Sequence, residues 1–170
     1  MRIGLLQHDI VWEDRDATLA HLTPSVARAA AAGVELLVLT EMFATGFSMR
    51  PDRTTEPESG PIVAWMTQCA RDHGMRLVGS LACDPGDGGL PTNRLVIVGS
   101  DGVEHRYDKL HPFTRSGEHE HFRAGDTPVV ADVDGIRFGL TVCYDLRFAN
   151  LYWDLGPRVD AFLVIANWPA

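Results

Sequence analysis

The stretch of sequence that decides the fold covers residues 136–148 and reads IRFGLTVCYDLRF. Its first seven residues, from Ile136 to Val142, form an apolar run that predicts a buried β-strand. The residues that follow Cys143 predict the first turn of a helix. Cys143 is therefore expected at the C-terminal edge of a sheet, beside helix-start amide groups that favour negative charge. This position suits a thiolate nucleophile.

Two other ionisable residues stand at the ends of predicted strands. Glu41 follows the apolar strand predicted over residues 35–40, and Lys109 follows the strand predicted over residues 103–107. In open α/β sheets, ligands bind at the edge formed by the carboxyl ends of the strands. The sequence therefore predicts that Glu41, Lys109 and Cys143 gather on one sheet edge.

These three side chains supply what a thiol needs to attack a carbonyl carbon. Glu41, in a pocket away from water, is expected to have a raised pKa and to act as the general base. Lys109 and the backbone N–H of Tyr144 are expected to stabilise the oxyanion of the tetrahedral intermediate. Protonated Glu41 would then protonate a leaving amine, which describes amide or nitrile hydrolysis through a thioester.

The rest of the chain predicts one α/β domain over residues 1–170, with helices alternating with strands. A helix is predicted over residues 16–32, with Asp16 as its N-cap and a kink or split at Pro24. A second helix runs from Pro61 to a stop at Gly74, with Ser59 or Gly60 as its cap. Residues 44–59 are predicted to be a long polar loop. The Asp-Gly pairs at 101–102 and 134–135 predict two hairpins, and residues 160–166 predict a last buried strand.

Composition excludes several classes of protein. The chain has 170 residues, of which 45% are hydrophobic, and its net charge is −8. This charge argues against a nucleic-acid binder, which needs a basic face. No apolar run approaches transmembrane length, and the first residues turn polar too soon for a signal peptide. The three cysteines have no metal-type spacing and an odd count, which favours free thiols in a reducing, cytoplasmic setting.

Several motifs resemble the nitrilase superfamily of carbon–nitrogen hydrolases. The similar segments are VLTEMF at 38–43, YDKLHPF at 107–113, VCYDLRF at 142–148, NRL at 93–95 and IANWP at 165–169. The resemblance implies a layered α-β-β-α sandwich whose sheets pair across a homodimer. It also implies a Glu-Lys-Cys catalytic set at Glu41, Lys109 and Cys143, acting on a small-molecule amide with no cofactor and no metal.

Within this superfamily the chain is most similar to bacterial ω-amidases. The similarity lies in DIVWED at 9–14, EMFATGFSM at 41–49 and GEHEHF at 117–122. It implies hydrolysis of the terminal amide of a 2-oxo dicarboxylic acid monoamide, with release of ammonia. A second family glutamate maps to Glu118, with Glu120 as the weaker choice, and its carboxylate would hold the ammonium group of Lys109.

The sequence departs from the family pattern at two places. Thr40 stands where the family usually has proline, a modest change in loop stiffness. Family members continue beyond the Asn-Trp-Pro segment with a further helix and strands, whereas this chain stops at Ala170. We therefore expect a C-terminally truncated form or fragment, with some apolar faces left bare.

Several further residues have an expected structural or binding role. Cys69 and Cys83 are expected to be structural thiols. Four residues are candidates for the wall of a substrate pocket: Phe43, Phe113, Arg115 and Trp168. Arg147 is expected to pair with Asp145, although it could also bind a substrate carboxylate.

Two other functions compete with the amidase. One is a metal-dependent hydrolase that uses His105, His111, His119 and His121, since His-x-His is a metal-ligand spacing. The other is a catalytically inactive truncated domain that acts through binding or assembly. The sequence also does not fix the acyl group of the substrate, because nitrile, carbamoyl and ω-amide substrates share the same catalytic residues.

Overall fold

A computed structural model of the protein describes residues 1–168. Pro169 of the IANWP segment and the terminal Ala170 lie outside the described residues. The strands are β1 (Ile3–Leu5), β2 (Leu36–Val38), β3 (Glu56–Pro57), β4 (Arg76–Asp84), β5 (Thr92–Gly99), β6 (Gly102–Asp108), β7 (Val130–Val133), β8 (Ile136–Val142) and β9 (Ala161–Ile165). The α-helices are α1 (Arg15–Ala31), α2 (Pro51–Thr54), α3 (Pro61–His73), α4 (Glu118–His121) and α5 (Ala149–Leu155). Short 3₁₀ turns cover Thr114–Ser116, Cys143–Arg147 and Gly156–Arg158.

The strands form two sheets. The larger sheet has the order β1-β2-β4-β5-β6, with β3 paired to β4, and the smaller has the order β7-β8-β9. Strands β1, β2 and β4 are parallel, as are β8 and β9, whereas β5 is antiparallel to both β4 and β6. Both predicted hairpins are present, linking β5 to β6 and β7 to β8. In the second, Asp134 and Gly135 both adopt positive φ, which a tight Asp-Gly turn between strands requires.

The layers are held together by two hydrophobic cores. Leu77 of β4 packs with α1 and α3 on one face of the larger sheet, and its neighbour Val78 packs against the smaller sheet on the other face. This alternation follows from the two-residue period of a strand. On the outer side of the smaller sheet, the Tyr152 ring of α5 lies 4.8 Å from the Phe162 ring of β9. The order of layers is therefore helix, sheet, sheet, helix, as predicted.

The first helix differs from its prediction in its N-cap, and it is not split at its proline. Its N-cap is Asp14 rather than Asp16, because the Asp14 side chain accepts a hydrogen bond from the Ala17 N–H at 3.0 Å. The predicted split at Pro24 does not occur, and the helix is continuous through this residue. Pro24 removes the hydrogen bond to the Ala20 carbonyl, and Ala20 is exposed to solvent, where the loss of this bond costs less than it would in the core.

The segment predicted as a long polar loop is more ordered and more buried than expected. It contains α2 and β3, and residues 44–46 and 48 are buried. The buried Glu56 carboxylate accepts the Ile62 N–H at 2.7 Å and so supplies the cap of α3 that Gly60 lacks. Gly74 ends α3 with φ of +64°, as predicted. Within residues 1–168, no helix has both the length and the apolar character that a membrane crossing needs.

Candidate active site

Cys143 lies directly after β8, where the chain turns sharply. It begins the 3₁₀ turn Cys143–Arg147, so the predicted helix start is a tighter turn, and α5 follows it. Its φ is +50°, a left-handed conformation that costs a non-glycine residue about 1–3 kcal/mol. The turn places the thiol at the wall of a cavity, with a side chain that is 9% exposed. The backbone strain is thus located at the candidate nucleophile.

The environment of Cys143 does not favour a resting thiolate. Burial and the negative charge of Glu41 together raise the pKa of the thiol to about 12, and the positive charge of Lys109 only partly opposes them. The expectation that helix-start amides stabilise a thiolate is therefore wrong for this site. A thiol in this state needs a base beside it at the moment of attack.

Glu41 is the carboxylate whose charge acts on the Cys143 thiol. It follows β2 by three residues and is completely buried. Its Oε1 accepts hydrogen bonds from Lys109 Nζ and Asn93 Nδ2, both at 2.8 Å, and its Oε2 accepts one from the Asn167 N–H at 3.0 Å. Burial raises the pKa of the Glu41 carboxyl group, although Lys109 opposes this shift. A raised carboxyl pKa is what a general acid and base at moderate pH requires.

Lys109 is buried between two carboxylates. It lies one residue beyond β6, and its Nζ is 2.8 Å from both Glu41 Oε1 and Glu118 Oε2. Burial lowers the pKa of Lys109, but the two carboxylates outweigh burial and leave this pKa raised. Lys109 is therefore a fixed cation in the site.

Glu118, rather than Glu120, is the second carboxylate at Lys109. Glu118 begins α4 and is completely buried, and its side chain also accepts a hydrogen bond from the Phe113 N–H. Glu120 lies two residues further along the chain, and its side chain is exposed. Of the two alternatives that the sequence left, the geometry brings Glu118 into the cluster.

Asn93 belongs to the same cluster and was missed as a site residue. Its Nδ2 donates to Glu41 Oε1 at 2.8 Å and to Glu118 Oε1 at 3.1 Å. Its Oδ1 accepts the Ser80 hydroxyl at 2.8 Å, and Ser80 Oγ in turn accepts the N–H of Met42. The NRL segment at 93–95 contained the signal, because a buried asparagine inside a strand needs polar partners.

The cluster is assembled from both sheets. Glu41 and Lys109 come from the larger sheet, whereas Cys143 comes from the smaller one. The prediction of a single shared edge is therefore wrong, although the prediction that the three residues follow strand ends holds. They meet because the two sheets face each other across a common core, which also contains Cys143.

A cavity of about 690 Å³ opens beside Cys143. Its wall is formed by Trp12, Phe47, Phe113, Arg115, Ser116, Cys143, Tyr144, Arg147, Asn167 and Trp168. The predicted wall residues Phe113, Arg115 and Trp168 are among them. Trp12 was missed, although it lies in a segment that carried the resemblance, as does Phe47. The cavity is mostly apolar, with two arginines in its wall.

Phe43 does not line this cavity, which corrects its prediction as a pocket residue. Its side chain is completely buried on the helix side of the larger sheet, 6.1 Å from the Trp65 ring. The ring packs directly over Gly79 of β4, where a β-carbon would lie 2.6 Å from it. The chain turns between Glu41 and Phe43, so the two side chains lie on different sides of the sheet.

Arg147 does not pair with Asp145, contrary to prediction. Its guanidinium carbon lies 5.4 Å from the centre of the Trp168 ring. Among residues 1–168, neither Arg147 nor Arg115 forms an ion pair with a carboxylate within 4.0 Å. Both arginines therefore present their charge to the cavity without a carboxylate of the protein beside them.

The four histidines considered as metal ligands are engaged separately. His105 bonds to the Asp132 carbonyl, and His111 Nδ1 lies 2.8 Å from Asp145 Oδ1. His119 and His121 lie on the short helix α4. In the part of the chain that the structure describes, no three His, Cys, Asp or Glu side chains form a group able to hold a metal ion.

Comparison with known proteins decides the family. A family model described as carbon-nitrogen hydrolase matches residues 2–167 of the chain. The chain belongs to the carbon-nitrogen hydrolase family. The resemblance to this family and to the nitrilase superfamily, predicted from the motifs, is confirmed.

Similar members of the carbon-nitrogen hydrolase family include two curated amidases. The omega-amidase YafV of Escherichia coli (strain K12) is 36% identical over 170 residues, which cover 100% of this chain and 64% of that protein. The 2-oxoglutaramate amidase of Bacillus subtilis (strain 168) is 26% identical over 139 residues, which cover 79% of this chain and 53% of that protein. The chain thus spans less than two thirds of the length of either relative.

A solved structure of the family agrees with the fold. XC1258 from Xanthomonas campestris, a CN-hydrolase superfamily protein with an arsenic adduct in its active site, matches with a TM-score of 0.91 and 31% identity. The match covers 100% of this chain and 66% of that one. The predicted nitrilase-like layered α/β fold class is therefore confirmed.

The role of Asn93 in holding this family site together can be tested through stability. Asn93→Ala removes the partner of Ser80 and one donor to each of two buried carboxylates, so we expect the free energy of unfolding to fall by about 2–3 kcal/mol. Urea denaturation measures this loss. The matched control is Asn150→Ala on the exposed surface of α5, expected to change stability by no more than about 0.5 kcal/mol. Equal stability of the two variants would contradict the assignment.

Proposed function

We propose that the protein is a thiol-dependent amidase that hydrolyses the terminal amide of a 2-oxo dicarboxylic acid monoamide and releases ammonia. The observation that carries this proposal is the buried cluster of Glu41, Lys109 and Cys143, in which Cys143 also lines an apolar cavity. It combines a nucleophile, a base with a raised pKa and a fixed cation, which is the set that acyl transfer needs.

In the first half-reaction, Glu41 takes the proton of the Cys143 thiol as the sulfur attacks the amide carbon. Oε1 of Glu41 accepts two hydrogen bonds, from Lys109 and Asn93, whereas Oε2 accepts one, from the Asn167 N–H, so Oε2 is the oxygen with room to take the proton. The carbonyl oxygen becomes an oxyanion, which Lys109 and the Tyr144 N–H stabilise. Glu41 then gives the proton to the nitrogen, the C–N bond breaks and ammonia leaves. A thioester remains on Cys143.

In the second half-reaction, Glu41 takes a proton from water, and the resulting hydroxide attacks the thioester carbon. The same two donors stabilise the second oxyanion. The C–S bond breaks, Cys143 recovers its proton from Glu41, and the carboxylic acid product leaves. Glu118 keeps Lys109 in place through both steps, since two of its hydrogen bonds reach Nζ. No cofactor takes part in this scheme.

The charges in the cavity support this substrate class. A 2-oxo dicarboxylic acid monoamide carries a carboxylate at the end opposite its amide. Arg115 and Arg147 line the cavity without a protein carboxylate beside them, and they offer that anion a partner. The names of the relatives from Escherichia coli and Bacillus subtilis, an omega-amidase and a 2-oxoglutaramate amidase, support the same choice.

Removal of one arginine tests the carboxylate contact. We expect Arg147→Gln to raise KM for 2-oxoglutaramate by about 10–100-fold, because a hydrogen bond to a charged group contributes about 1.5–3 kcal/mol. KM for a neutral amide of similar length should change little. The matched control is Arg137→Gln, whose parent side chain pairs with Asp160 at the opposite end of β8. An equal rise in KM for charged and neutral amides would contradict the contact.

The proposed function is tested by ammonia release from 2-oxoglutaramate, compared with a nitrile and an N-carbamoyl amino acid as rival substrates. We expect the purified protein to release ammonia fastest from the monoamide. Faster turnover of the nitrile or the carbamoyl compound would assign a different acyl group. Turnover of none of the three would overturn the proposal.

A further inference from the structure

Asp145 is a buried carboxylate that belongs to the turn of Cys143. It lies two residues beyond Cys143 and is completely buried. Its Oδ2 accepts the Val142 N–H at 2.9 Å, so the carboxylate bonds to the residue immediately before the nucleophile. This bond closes the strained turn in which Cys143 has φ of +50°. Asp145 therefore contacts the nucleophile's turn directly, although it touches neither the thiol nor the cavity.

The same carboxylate also holds the segment that carries Lys109. Oδ2 accepts the Tyr107 hydroxyl at 2.7 Å, and Oδ1 accepts both the backbone N–H of His111 at 3.0 Å and its Nδ1 at 2.8 Å. The Tyr107 oxygen in turn accepts the N–H of Leu110 at 3.3 Å. Lys109 is thus flanked on both sides by residues that are tied to Asp145.

No lysine or arginine balances this charge among the residues described. The partners of its carboxylate are the Nδ1 and backbone N–H of His111, the Tyr107 hydroxyl and the Val142 N–H. Burial of a carboxylate is costly unless donors satisfy it, and here four donors converge on two oxygens. All four belong either to the turn of Cys143 or to the segment around Lys109. The carboxylate therefore connects two segments from different sheets at the point where both reach the site.

We propose that Asp145 is a positioning residue that sets the distance between the oxyanion donors and the nucleophile. This inference rests on the proposed function, in which Lys109 and the Tyr144 N–H stabilise one oxyanion together. Those donors come from different sheets, and Asp145 is hydrogen-bonded to the segments that carry both of them. A displacement of about 1 Å in such a site lowers the rate by about 10²-fold.

The first variant removes one hydrogen bond between the two segments and keeps the charge of Asp145. Tyr107→Phe deletes the hydroxyl that joins β6 to Asp145, and we expect kcat to fall about tenfold with KM within about twofold of the parent. The matched control is Tyr152→Phe, which deletes a hydroxyl bonded to Thr141 on the outer side of the smaller sheet. The control is expected to keep the parent kcat, even where it lowers the melting temperature as much.

A second variant and a second readout keep the inference separate from the proposed function. Asp145→Asn has one acceptor oxygen in place of two, so its kcat should fall at least as far as that of Tyr107→Phe. The kcat of the variant that combines both substitutions should fall no further than that of Asp145→Asn alone. Alkylation of Cys143 by iodoacetamide needs no amide substrate. It should slow several-fold in Tyr107→Phe, because displacement of Lys109 removes the charge that lowers the Cys143 pKa.

The two readouts separate the positioning role of Asp145 from the proposed function. A parent protein that is inactive on amides removes the proposed function, and the alkylation ratio between Tyr107→Phe and Tyr152→Phe still decides the role of Asp145. Equal changes in kcat and in alkylation rate for these two variants would overturn the positioning role, since the losses would then follow general stability. A fall confined to Tyr107→Phe and Asp145→Asn, at unchanged KM, supports it.

Discussion

Replacement of Cys143 by alanine is expected to abolish ammonia release from 2-oxoglutaramate, with a fall in kcat of about 10⁴-fold or more. The thiol provides the atom that bonds to the acyl carbon, and no other described residue of the cavity wall has a thiol. Alanine keeps the β-carbon at this position of positive φ, so the fold should survive. We expect the melting temperature to stay within a few degrees of that of the parent.

The matched control for this variant is Cys69→Ala. Cys69 is also a buried free thiol, and burial raises its pKa to about 11, close to the value of about 12 for Cys143. It lies in α3 and packs in the core on the helix side of the larger sheet, away from the cavity. The control should keep kcat within about twofold. Activity that survives in Cys143→Ala, or that is lost in both variants, would contradict the assignment of the nucleophile.

Glu41→Gln is expected to lower both kcat and the pKa of the Cys143 thiol. Loss of the general base should lower kcat by about 10³-fold, within the range that proton transfer contributes. Loss of the Glu41 charge should also lower the pKa of Cys143 below about 12, because that charge is one of the causes of the raised value. The variant would thus form a thiolate more easily while it hydrolyses amides far more slowly.

Both changes are measurable on the same sample. Ammonia release gives kcat, and the ultraviolet absorbance of the thiolate, with Cys143→Ala as the blank, gives the pKa. Glu120→Gln is the matched control, since Glu120 is an exposed carboxylate near the site and should leave both quantities unchanged. A Glu41→Gln variant with the parent kcat, or with an unshifted thiol pKa, would contradict the role of Glu41.

The activity of the parent protein is expected to depend on pH through the ionisation of Glu41. Glu41 must be deprotonated to take the thiol proton, and burial raises its pKa above the ordinary value of 4.5. Activity should therefore be lost as the pH falls through this raised pKa, and the acid limb of kcat/KM should lie above pH 4.5. The limb should be absent from the residual activity of Glu41→Gln.

Local signals in the sequence predicted the elements that carry the site. The predicted and observed bounds of β8 coincide, and Gly74 and the Asp-Gly hairpin at 134–135 occupy their expected positions. These features depend on apolar runs and on residues that tolerate positive φ, which neighbouring sequence largely determines. The placement of Glu41, Lys109 and Cys143 after strands followed from the same local patterns.

Features that depend on packing between distant segments were not predictable in this way. The direction of the Phe43 side chain is set by the space over Gly79, and two residues that bond to Asp145, Tyr107 and His111, lie more than 30 positions away from it. The thiolate expectation failed for a related reason. It used the local effect of a helix start, whereas burial and the charge of Glu41, which is brought in by the other sheet, have the larger effect on the Cys143 pKa.

The most direct test of the central claim is to look for the thioester itself. Samples of the protein turning over 2-oxoglutaramate are quenched in acid, digested and analysed by mass spectrometry. The account predicts an acyl adduct, with the mass of the substrate less ammonia, on the peptide that contains Cys143 and on neither Cys69 nor Cys83. Ammonia release at the parent rate by a protein that carries no such adduct, together with activity retained in Cys143→Ala, would contradict it.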